Sequence, residues 1–503
     1  MFLSVYDLDW QVDIFLISIH AQILVKEMTK TYPLAVDLDG TLLKNDSLIE
    51  MFIFSLLRRP WETLLILSSL LGGRANFKYK MAKINKLDIS TIPLREEFYE
   101  FLLQEKNKGR DLFLVTAADQ SVADDVHKKL GIFKEATGSA KGHNLKGKKK
   151  LKYLQSLFPD GFSYAGDSLS DIAIWKEAKT IILVSNNRKI LNSVKTMKGN
   201  IEHTFLPKKA SFRIWIKSLR VHQWSKNLLI FLPLLLSHQY SNLSLVMNVV
   251  IAFFCMGLIA SGTYLINDIS DLEADRSHKT KKNRPIASGD IGTGKAFLVA
   301  LFLIVAGLFV ASSTSLSFLI VLLIYLLFTL TYSFYLKKVP MLDVFSLGLL
   351  YTLRIIMGTV VIEAEFSSWL LMFSMFFFFS LSLAKRYVEI RDAEIASNAE
   401  HIKGRGYKVS DSPIVLAFGI ASSILSLLIL TLYLVNEAYP RNIYNNPEWL
   451  WGVTPVILLW IMRIWFLSHR REMKDDPVAF ALKDAISWGL GFLIIILFVI
   501  AIF

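Results

Sequence analysis

Residues 267–275 read Asn-Asp-Ile-Ser-Asp-Leu-Glu-Ala-Asp and follow directly on a long apolar stretch. Asn267, Asp268, Asp271 and Asp275 recur at helical spacing, so we expect them to share one face of a helix at the membrane surface. Three carboxylates on one face repel one another. A divalent cation is the usual remedy, because Mg²⁺ bridges carboxylates to a substrate diphosphate. A solvated acidic loop is the alternative, but four basic residues follow closely: Lys279, Lys281, Lys282 and Arg284.

This stretch resembles the first aspartate-rich motif of the UbiA superfamily of polyprenyl transferases. The continuation Lys282-Asn283-Arg284-Pro285-Ile286-Ala287-Ser288-Gly289 is similar to the Arg-Pro-Ile-Ala-Ser-Gly segment of that family. The resemblance covers roughly residues 213–503. It implies a metal–diphosphate site with Asp268 and Asp271 as catalytic residues. The implied Mg²⁺ ligands are Asp268, Asp271 and Asp275, and the implied substrate contacts are Asn267, Lys282 and Arg284.

Composition points to a membrane protein with an additional domain. The chain has 503 residues, enough for two or three domains, and 53% of them are apolar. The apolar surplus lies after residue 225. The net charge is +13, but the basic residues lie between hydrophobic runs, so they predict contacts with a membrane surface and diphosphate and argue against nucleic acid. The single cysteine, Cys255, excludes an intrachain disulfide.

Apolar segments predict about nine transmembrane helices. They lie near 227–240, 245–266, 291–311, 317–335, 342–362, 367–384, 413–435, 449–467 and 485–503. The first is short and broken by Pro233. Basic residues concentrate in alternate loops, at 267–290, 336–341, 385–412 and 463–484. The positive-inside rule therefore places these loops and the N-terminal domain in the cytoplasm, with Phe503 outside, in a bacterial inner or plasma membrane.

A second motif bears on the substrate. The 385–412 loop opens Lys385-Arg386-Tyr387-Val388-Glu389, where ubiquinone-type members of the superfamily carry Asp-x-x-x-Asp. The sequence here resembles the branch that makes polyprenyl-phosphate phosphoribose, as do Arg220–Asn227 and the pair Asp343 and Arg354. In that chemistry one acidic cluster holds the Mg²⁺-diphosphate, and cations hold the other phosphates. The implied substrate contacts are Lys226, Arg354, Lys385, Arg386 and Glu389, with Arg391 as a further cation. Ordinary positive-inside or structural roles are the alternative.

The N-terminal half alternates short apolar strands with helical stretches, which predicts a parallel, Rossmann-like α/β sheet with its site at the carboxyl ends of the strands. The polar residues at those ends are Asp37, Asp39, Thr116, Asp167 and Asp171, with Lys150 between them in sequence. Asp37 and Asp39 differ by two positions and so point the same way from the strand end.

This set resembles the haloacid dehalogenase-type phosphatases over residues 31–205. The resemblance implies Asp37 as the nucleophile, Asp39 as general acid/base, and Thr116 and Lys150 as contacts to the phosphoryl group. It implies Mg²⁺ at Asp37, Asp39, Asp167 and Asp171. Residues 48–105 are expected to form a helical cap. The apolar run Leu64–Leu71 is too short to span a bilayer, so we expect it in the cap core, with membrane contact as the alternative.

The predicted organisation is therefore an extension at 1–30, the phosphatase domain at 31–205, a basic interfacial linker at 206–225 and an all-α membrane bundle at 226–503. The leading functional hypothesis is transfer of 5-phosphoribose from its diphosphate to a polyprenyl phosphate, followed by removal of the 5-phosphate. The alternatives are an aromatic polyprenyl transferase fused to an unrelated phosphatase, and a non-catalytic N-terminal module. The expected partners are a polyprenyl lipid, a diphosphate substrate and the bilayer, with Mg²⁺ as cofactor.

Overall fold

The computed structural model describes residues 31–85, 88–197, 200–397, 405–440, 444–473 and 476–502. The predicted extension at 1–30 lies outside these residues. The chain divides into two compact units. The first, here called the α/β unit, comprises Met1–Trp215 and Asp271–Lys295; the second, the membrane unit, comprises Ile216–Ser270 and Ala296–Phe503. The predicted linker 206–225 thus divides after Trp215, and Asp271–Lys295 groups with the α/β unit.

The α/β unit is built on a six-stranded parallel sheet with the order β3-β2-β1-β4-β5-β6. The strands are β1 Leu34–Val36, β2 Leu112–Asp119, β3 Glu135–Ser139, β4 Ser163–Gly166, β5 Thr180–Val184 and β6 Asn200–Phe205. Successive residues of a strand point to opposite faces, so Leu34 and Val36 enter one core cluster while Ala35 enters the other. Both faces are therefore covered, as parallel sheets require. All strands run in the same direction, but β2 and β3 lie on one side of β1 while β4, β5 and β6 lie on the other. The order in which strands are added therefore changes side at β1.

Helices connect the strands and form the cap. They are α1 Ser47–Arg58, α2 Pro60–Leu67, α3 Arg74–Ile84, α4 Glu96–Asn107, α5 Gln120–Leu130, α6 Lys148–Leu157, α7 Ile172–Trp175 and α8 Arg188–Lys195, with a 3₁₀ turn at Ser68–Gly72. Phe98 and Phe101 of α4 pack on Phe205 of β6, so α4 covers the sheet and belongs to the crossover between strands. The helical cap is thus shorter than predicted and comprises α1 to α3.

The prediction that Leu64–Leu71 forms the cap core is wrong for most of its apolar residues. Leu65 is 74% exposed and Leu71 is 96% exposed, and Leu64 and Leu70 are exposed as well. Of the large apolar residues in this run, Ile66 is the one that is buried, and the small Ser69 is buried as well. The run occupies only the last turn of α2 and a 3₁₀ turn, so a single narrow face can reach the core while the other side chains point outward.

In its described residues, the membrane unit consists of helices that are joined by short loops and turns. Its helices are α9 Phe212–Leu219 (which begins within the α/β unit), α10 Leu232–Leu236, α11 Leu243–Ser270, α13 Thr293–Thr314 (also shared), α14 Leu316–Phe334, α15 Leu342–Val361, α16 Ser368–Ser397, α17 Ser412–Tyr433, α18 Val453–His469, α19 Pro477–Ala481 and α20 Ala485–Ile502. The short α12, Leu272–Ser277, belongs to the α/β unit. Among the spans, α15 is the most buried.

Eight helices in the described residues are long and apolar enough to cross a membrane, which corrects the predicted nine. The missing one is the first predicted segment, 227–240. There the chain forms a 3₁₀ helix at Val221–Phe231 and then the short α10, which begins around Pro233. With a rise of about 2 Å per residue in 3₁₀ and about 1.5 Å in α conformation, this stretch would reach at most about 30 Å if its axis were straight. Asn227 and Ile230 of the 3₁₀ helix are buried.

Candidate active sites

The first candidate site lies at the carboxyl end of the parallel sheet, beside β1. Asp37 follows β1, Thr116 lies in β2 and Asp167 follows β4. Because β2, β1 and β4 are neighbours, these three residues meet at one edge of the sheet, where the strand order reverses. They line a cavity of about 640 Å³, and Asp39, Lys150 and Asp171 line it as well. The structure thus brings together all six residues singled out in this half of the sequence.

Asp37 is held by a buried cation. The Lys150 Nζ lies 2.9 Å from the Asp37 Oδ1, and the Lys150 side chain is almost completely buried. The same ammonium donates to the Tyr164 hydroxyl at 2.9 Å, and that hydroxyl donates to Asp171 at 3.1 Å. Tyr164, which sequence reasoning missed, therefore links the lysine to a second carboxylate of the site. Its only signal in the sequence is its position two residues before Gly166 in β4.

Three carboxylates of this site can share a cation. Oxygen atoms of Asp37, Asp167 and Asp171 lie within 4.8 Å of one another, and no other group of this kind occurs in the described part of the chain. Burial, followed by repulsion from Asp37 and Asp171, raises the pKa of Asp167 to about 8. Burial and Asp37 likewise raise the pKa of Asp171. These carboxylates repel one another when all are ionised. Mg²⁺ would remove that repulsion and favour their charged forms, so the three form a suitable set of ligands for this ion.

Asp39 lies outside that trio, which differs from its predicted role as a metal ligand. Its Oδ1 accepts a hydrogen bond of 2.8 Å from the Ser47 backbone N–H at the start of α1. Burial, with smaller contributions from Asp46 and Asp37, raises the pKa of Asp39 to about 7. Such a carboxyl group can both give and take a proton near neutrality. Gly40, which directly follows Asp39, has a φ of 75°, and a Cβ there would collide with the Asp167 carboxylate.

The cap supplies a cation that sequence reasoning missed. Lys78 of α3 lines the cavity, and its ammonium donates to the Ala117 carbonyl at 2.5 Å and to the Asn144 Oδ1 at 3.2 Å. Burial lowers the pKa of Lys78. Nothing in the local sequence distinguishes it from Lys80 and Lys83, since only the packing of α3 decides which lysine faces the cavity.

The aspartate-rich motif at 267–275 is divided by a break in the helix. Asn267 and Asp268 lie on the last turn of α11, Asp271 stands at the break with φ −92° and ψ 6°, and Asp275 lies on α12. The single helix that the spacing predicts therefore ends at Ser270. Within the membrane unit, Asp268 pairs with Arg220 at 2.5 Å. Within the α/β unit, Asp275 pairs with Arg284 at 2.6 Å. Lys282 lies in that same segment, on a 3₁₀ turn.

The membrane unit contains a polar cavity of about 480 Å³. Six predicted site residues line it: Lys226, Asn267, Arg354, Lys385, Arg386 and Glu389. Its charged side chains are six cations and three acids, and the cations include Arg220 and Arg405 while the acids include Asp392 and Asp476. The lining therefore carries three more positive than negative charges, which favours a polyanionic ligand.

Arg354 is a buried cation with neutral partners. It lies on α15 and is 5% exposed. Its Nε donates to the Asn227 Oδ1 at 3.1 Å, and its other nitrogens donate to the Leu350 carbonyl and to the Tyr325 hydroxyl. The guanidinium also lies over the ring of Tyr351. None of these contacts with described residues is to a carboxylate, so the charge of Arg354 is left for a ligand to neutralise.

Arg386 is a buried cation that, unlike Arg354, has carboxylate partners. It is 1% exposed and lies 2.7 Å from Asp343, which is completely buried on α15, and it also pairs with Glu389. Tyr407 donates to Asp343 at 2.5 Å. Arg386 therefore has two carboxylate partners and supports the cavity wall, although the sequence predicts it as a substrate contact. Arg391, another predicted cation, pairs with Glu394 and is not among the lining residues.

Asp476 joins the two lysines of the cavity. Its Oδ2 lies 3.2 Å from the Lys226 Nζ and 3.5 Å from the Lys385 Nζ. Burial opposes its ionisation, but these two lysines lower the pKa of Asp476 to about 2. Sequence reasoning missed this residue; its signal is the Asp-Pro pair that begins α19. It also missed the tyrosines that line the cavity, namely Tyr264, Tyr325, Tyr332 and Tyr351.

Comparison with known proteins agrees with this helical architecture. Residues 227–502, more than half of the chain, match the profile of the UbiA prenyltransferase family. The chain belongs to the UbiA prenyltransferase family. With its eight apolar helices, it is an integral membrane protein and a transferase by family.

Similar proteins extend this relationship. The uncharacterized protein y4nM of Sinorhizobium fredii is 43% identical over 470 residues, which are 93% of this chain and 91% of that protein. The decaprenyl-phosphate phosphoribosyltransferase of Mycolicibacterium smegmatis is 35% identical over 185 residues, which are 36% of this chain and 58% of that protein. The structure of a UbiA homolog from Archaeoglobus fulgidus bound to GPP and Mg²⁺ is 15% identical, with a TM-score of 0.43, and covers 56% of this chain and 99% of that chain. That likeness is too low to indicate a substrate.

Proposed function

We propose that the membrane unit transfers 5-phosphoribose from phosphoribosyl diphosphate to a polyprenyl phosphate, and that the α/β unit then removes the 5-phosphate. The observation that carries the first step is Arg354, a buried cation without a carboxylate partner in the described residues. It lies in a cavity whose lining cations outnumber the acids even when Asp268 and Asp343, the partners of Arg220 and Arg386, are counted. The name of the Mycolicibacterium smegmatis relative supports the same reaction.

The charges of the substrates suit this cavity. Phosphoribosyl diphosphate brings a diphosphate and a 5-phosphate, and the polyprenyl acceptor brings another phosphate. Arg354, Lys226 and Lys385 would hold the phosphates that are not bound to metal, through charge-assisted hydrogen bonds. Transfer joins an acceptor phosphate oxygen to C1 of the ribose while the bond from C1 to the diphosphate breaks, so the lining cations also stabilise the departing diphosphate.

Asp268, Asp271 and Asp275 are the proposed Mg²⁺ ligands of this transfer. Asp268 and Asp275 are each paired with an arginine, so Mg²⁺ with the diphosphate would take the place of these partners. Bound Mg²⁺ would neutralise the diphosphate leaving group. Asn267, at the end of α11, and Lys282 and Arg284 in the following segment are proposed contacts to the diphosphate.

In the α/β unit, the proposed reaction is hydrolysis of a phosphomonoester. The Asp37 carboxylate attacks phosphorus, and the departing ribose 5-oxygen takes a proton from Asp39. Water then attacks the aspartyl phosphate and loses its proton to Asp39, which restores both side chains and releases phosphate. Thr116 and Lys150 would hold the phosphoryl oxygens. Mg²⁺, for which Asp37, Asp167 and Asp171 form a suitable donor set, would offset the charge of the phosphate.

We propose a cytoplasmic location for both reactions. The basic loops at 336–341, 385–412 and 463–484 indicate this side by the positive-inside rule. Val221–Leu236 would reach about 30 Å if its axis were straight, which is the thickness of the hydrocarbon core, so we propose that it provides the crossing that the eight spans lack. That crossing puts the α/β unit in the cytoplasm and the end of α20 outside.

The competing function is prenyl transfer to an aromatic acid. Purified protein in lipid would be incubated with labelled phosphoribosyl diphosphate and polyprenyl phosphate, and in parallel with labelled 4-hydroxybenzoate and a polyprenyl diphosphate. We expect label in the lipid fraction only from phosphoribosyl diphosphate. Label only from 4-hydroxybenzoate would refute the proposal and establish the aromatic prenyl transfer. Asp268→Asn protein serves as the negative control for both reactions.

A further inference from the structure

The cap of the α/β unit presents an apolar surface that its own core does not use. Trp61, Leu64 and Leu65 lie on one face of α2, at spacings of three and four residues. Leu70 and Leu71 follow in the adjoining 3₁₀ turn. All five are exposed: Trp61 is 77% and Leu71 96% accessible. We call these five residues the cap face. Clusters of exposed large apolar side chains mark contact surfaces.

Basic residues border the cap face. Arg58 and Arg59 immediately precede α2, and Arg74 follows the 3₁₀ turn after Gly73. All three are exposed, and at the surface Arg58 pairs with Glu273 and Arg59 with Glu62 of α2. A tryptophan and leucines bordered by arginines are typical of segments that lie in the interface of an anionic bilayer, where the apolar side chains enter the acyl boundary and the arginines meet lipid phosphates.

The cap face is also tied to a residue close to the membrane. The Arg58 Nη2 lies 2.9 Å from the Glu273 Oε2, and both residues belong to the α/β unit. Glu273 follows Ser270, the last residue of the span α11, by three positions. Glu273 is thus joined to the end of a membrane span by three residues of chain. Trp61 follows Arg58 by three positions.

The catalytic cavity reaches the cap face. Leu70 and Arg74 line the cavity that contains Asp37, and so does Phe77 of the cap. Leu70 is half-exposed, and its neighbour Leu71 belongs to the outer surface. The cap thus contributes apolar side chains that line the cavity and continue onto the cap face, while the segments that follow the strands contribute the carboxylates. A phosphate linked to an apolar tail fits this arrangement.

We propose that the cap face docks on the interface of an anionic bilayer, where it presents the phosphate of a membrane-resident lipid to Asp37. The inference on the substrate rests on the phosphatase reaction proposed above, whereas the docking does not. A second copy of the chain, or residues 1–30, would be the alternative occupant of the cap face.

Site-specific labelling of the full chain tests the docking. Cysteine is introduced at Leu65 or Leu71, and at Lys129, an exposed residue of α5, as the matched control. Cys255 is buried, so the unsubstituted chain measures residual labelling. Each variant carries an environment-sensitive fluorophore in nanodiscs of phosphatidylcholine and phosphatidylglycerol. We expect nitroxide lipids to quench the fluorophore at Leu65→Cys and Leu71→Cys, and aqueous iodide to quench it at Lys129→Cys. Quenching of the cap-face labels by iodide, or protection from both quenchers, would overturn the docking.

A substrate comparison tests the presentation of lipid phosphate. The double variant Leu65→Glu, Leu71→Glu should hydrolyse a phosphomonoester lipid in the same nanodiscs about tenfold more slowly, because it loses apolar contact with the bilayer. Its hydrolysis of p-nitrophenyl phosphate should match that of the unsubstituted chain. Equal loss on both substrates, or no loss on either, would overturn the presentation. If the unsubstituted chain hydrolyses neither substrate, the phosphatase proposal and the presentation both fail, and the labels alone decide the docking.

Discussion

Arg354→Met separates the binding role of a buried cation from a structural role. The substitution removes a guanidinium that is 5% exposed and whose described partners are all neutral. It leaves two acceptors, on Asn227 and Tyr325, without their donor, which costs about 1–3 kcal/mol for each fully buried group. It also removes a buried charge without a carboxylate partner, a burial that costs several kcal/mol. The two effects oppose each other, so the melting temperature of the substrate-free protein should change little or rise.

Arg354→Met should weaken substrate binding even though it does not lower the stability of the protein. A charge-assisted hydrogen bond to phosphate contributes about 1.5–3 kcal/mol, so Arg354→Met should raise the KM for phosphoribosyl diphosphate about 10- to 150-fold. Thermal unfolding in detergent and steady-state transfer in lipid measure the two effects on the same preparations. A fall in melting temperature with an unchanged KM would refute the reasoning, because it would show that Arg354 serves only the packing of the helices.

Arg386→Met is the matched control. It removes the same side chain from the same cavity, but Arg386 is paired with the completely buried Asp343. Loss of one partner of a buried ion pair costs about 3–5 kcal/mol, because the other charge is left behind. The structure therefore predicts a clear loss of stability for Arg386→Met and none for Arg354→Met. Equal losses for both variants would contradict the distinction drawn between the two arginines.

Three further predictions follow from the sites. Lys226→Met should raise the KM for phosphoribosyl diphosphate about 30-fold, because it removes one charge-assisted contact. Asp476→Asn should leave this KM unchanged or lower it, since asparagine still caps α19 and releases the two lysines for the substrate. Equal increases of KM for both variants would contradict the role of Lys226 as a substrate contact. Asp268→Asn should reduce transfer about 10²-fold or more, with a smaller loss of stability than Arg386→Met because Arg220, which loses its partner, is 23% exposed, and near wild-type transfer would remove Asp268 from the metal site. Chelation of divalent cations should abolish phosphatase turnover, with recovery on added Mg²⁺, and activity that persists in chelator would contradict the role given to Asp37, Asp167 and Asp171.

The sequence predicts most of the spans and the sheet because both depend on local patterns. Eight apolar stretches are long enough to cross a bilayer, and each forms the expected helix. The same reasoning fails at 227–240, where the chain forms a 3₁₀ helix as far as Phe231 and then the short α10 with Pro233 in its first turn, because hydropathy does not distinguish these from one long α-helix. It also fails at Leu64–Leu71, because apolar residues predict burial only when the fold has an interior surface ready to receive them.

In the candidate sites, too, the residues that depend on local patterns can be predicted, whereas those that depend on long-range packing cannot. Asp37, Thr116 and Asp167 can be predicted because each stands at the end of a strand, and the ends of neighbouring parallel strands meet. Lys78, Tyr164 and Asp476 could not be predicted, since their positions depend on packing between elements distant in sequence. The sequence also treats Arg354 and Arg386 alike as substrate cations. Only the partners in the folded chain distinguish the arginine with two carboxylates from the one with none.

The central claim is that both units act in turn on one lipid. Asp37→Asn keeps the shape of the side chain but removes the proposed nucleophile, while the membrane unit retains its own carboxylates. Wild-type and Asp37→Asn protein would each be incubated once with phosphoribosyl diphosphate and polyprenyl phosphate, and the extracted lipids compared by mass. We predict lipid-linked ribose from the wild type and lipid-linked phosphoribose from the variant. Equal amounts of lipid-linked ribose from the two proteins would contradict the account, because the α/β unit would then have no part in the removal of the 5-phosphate.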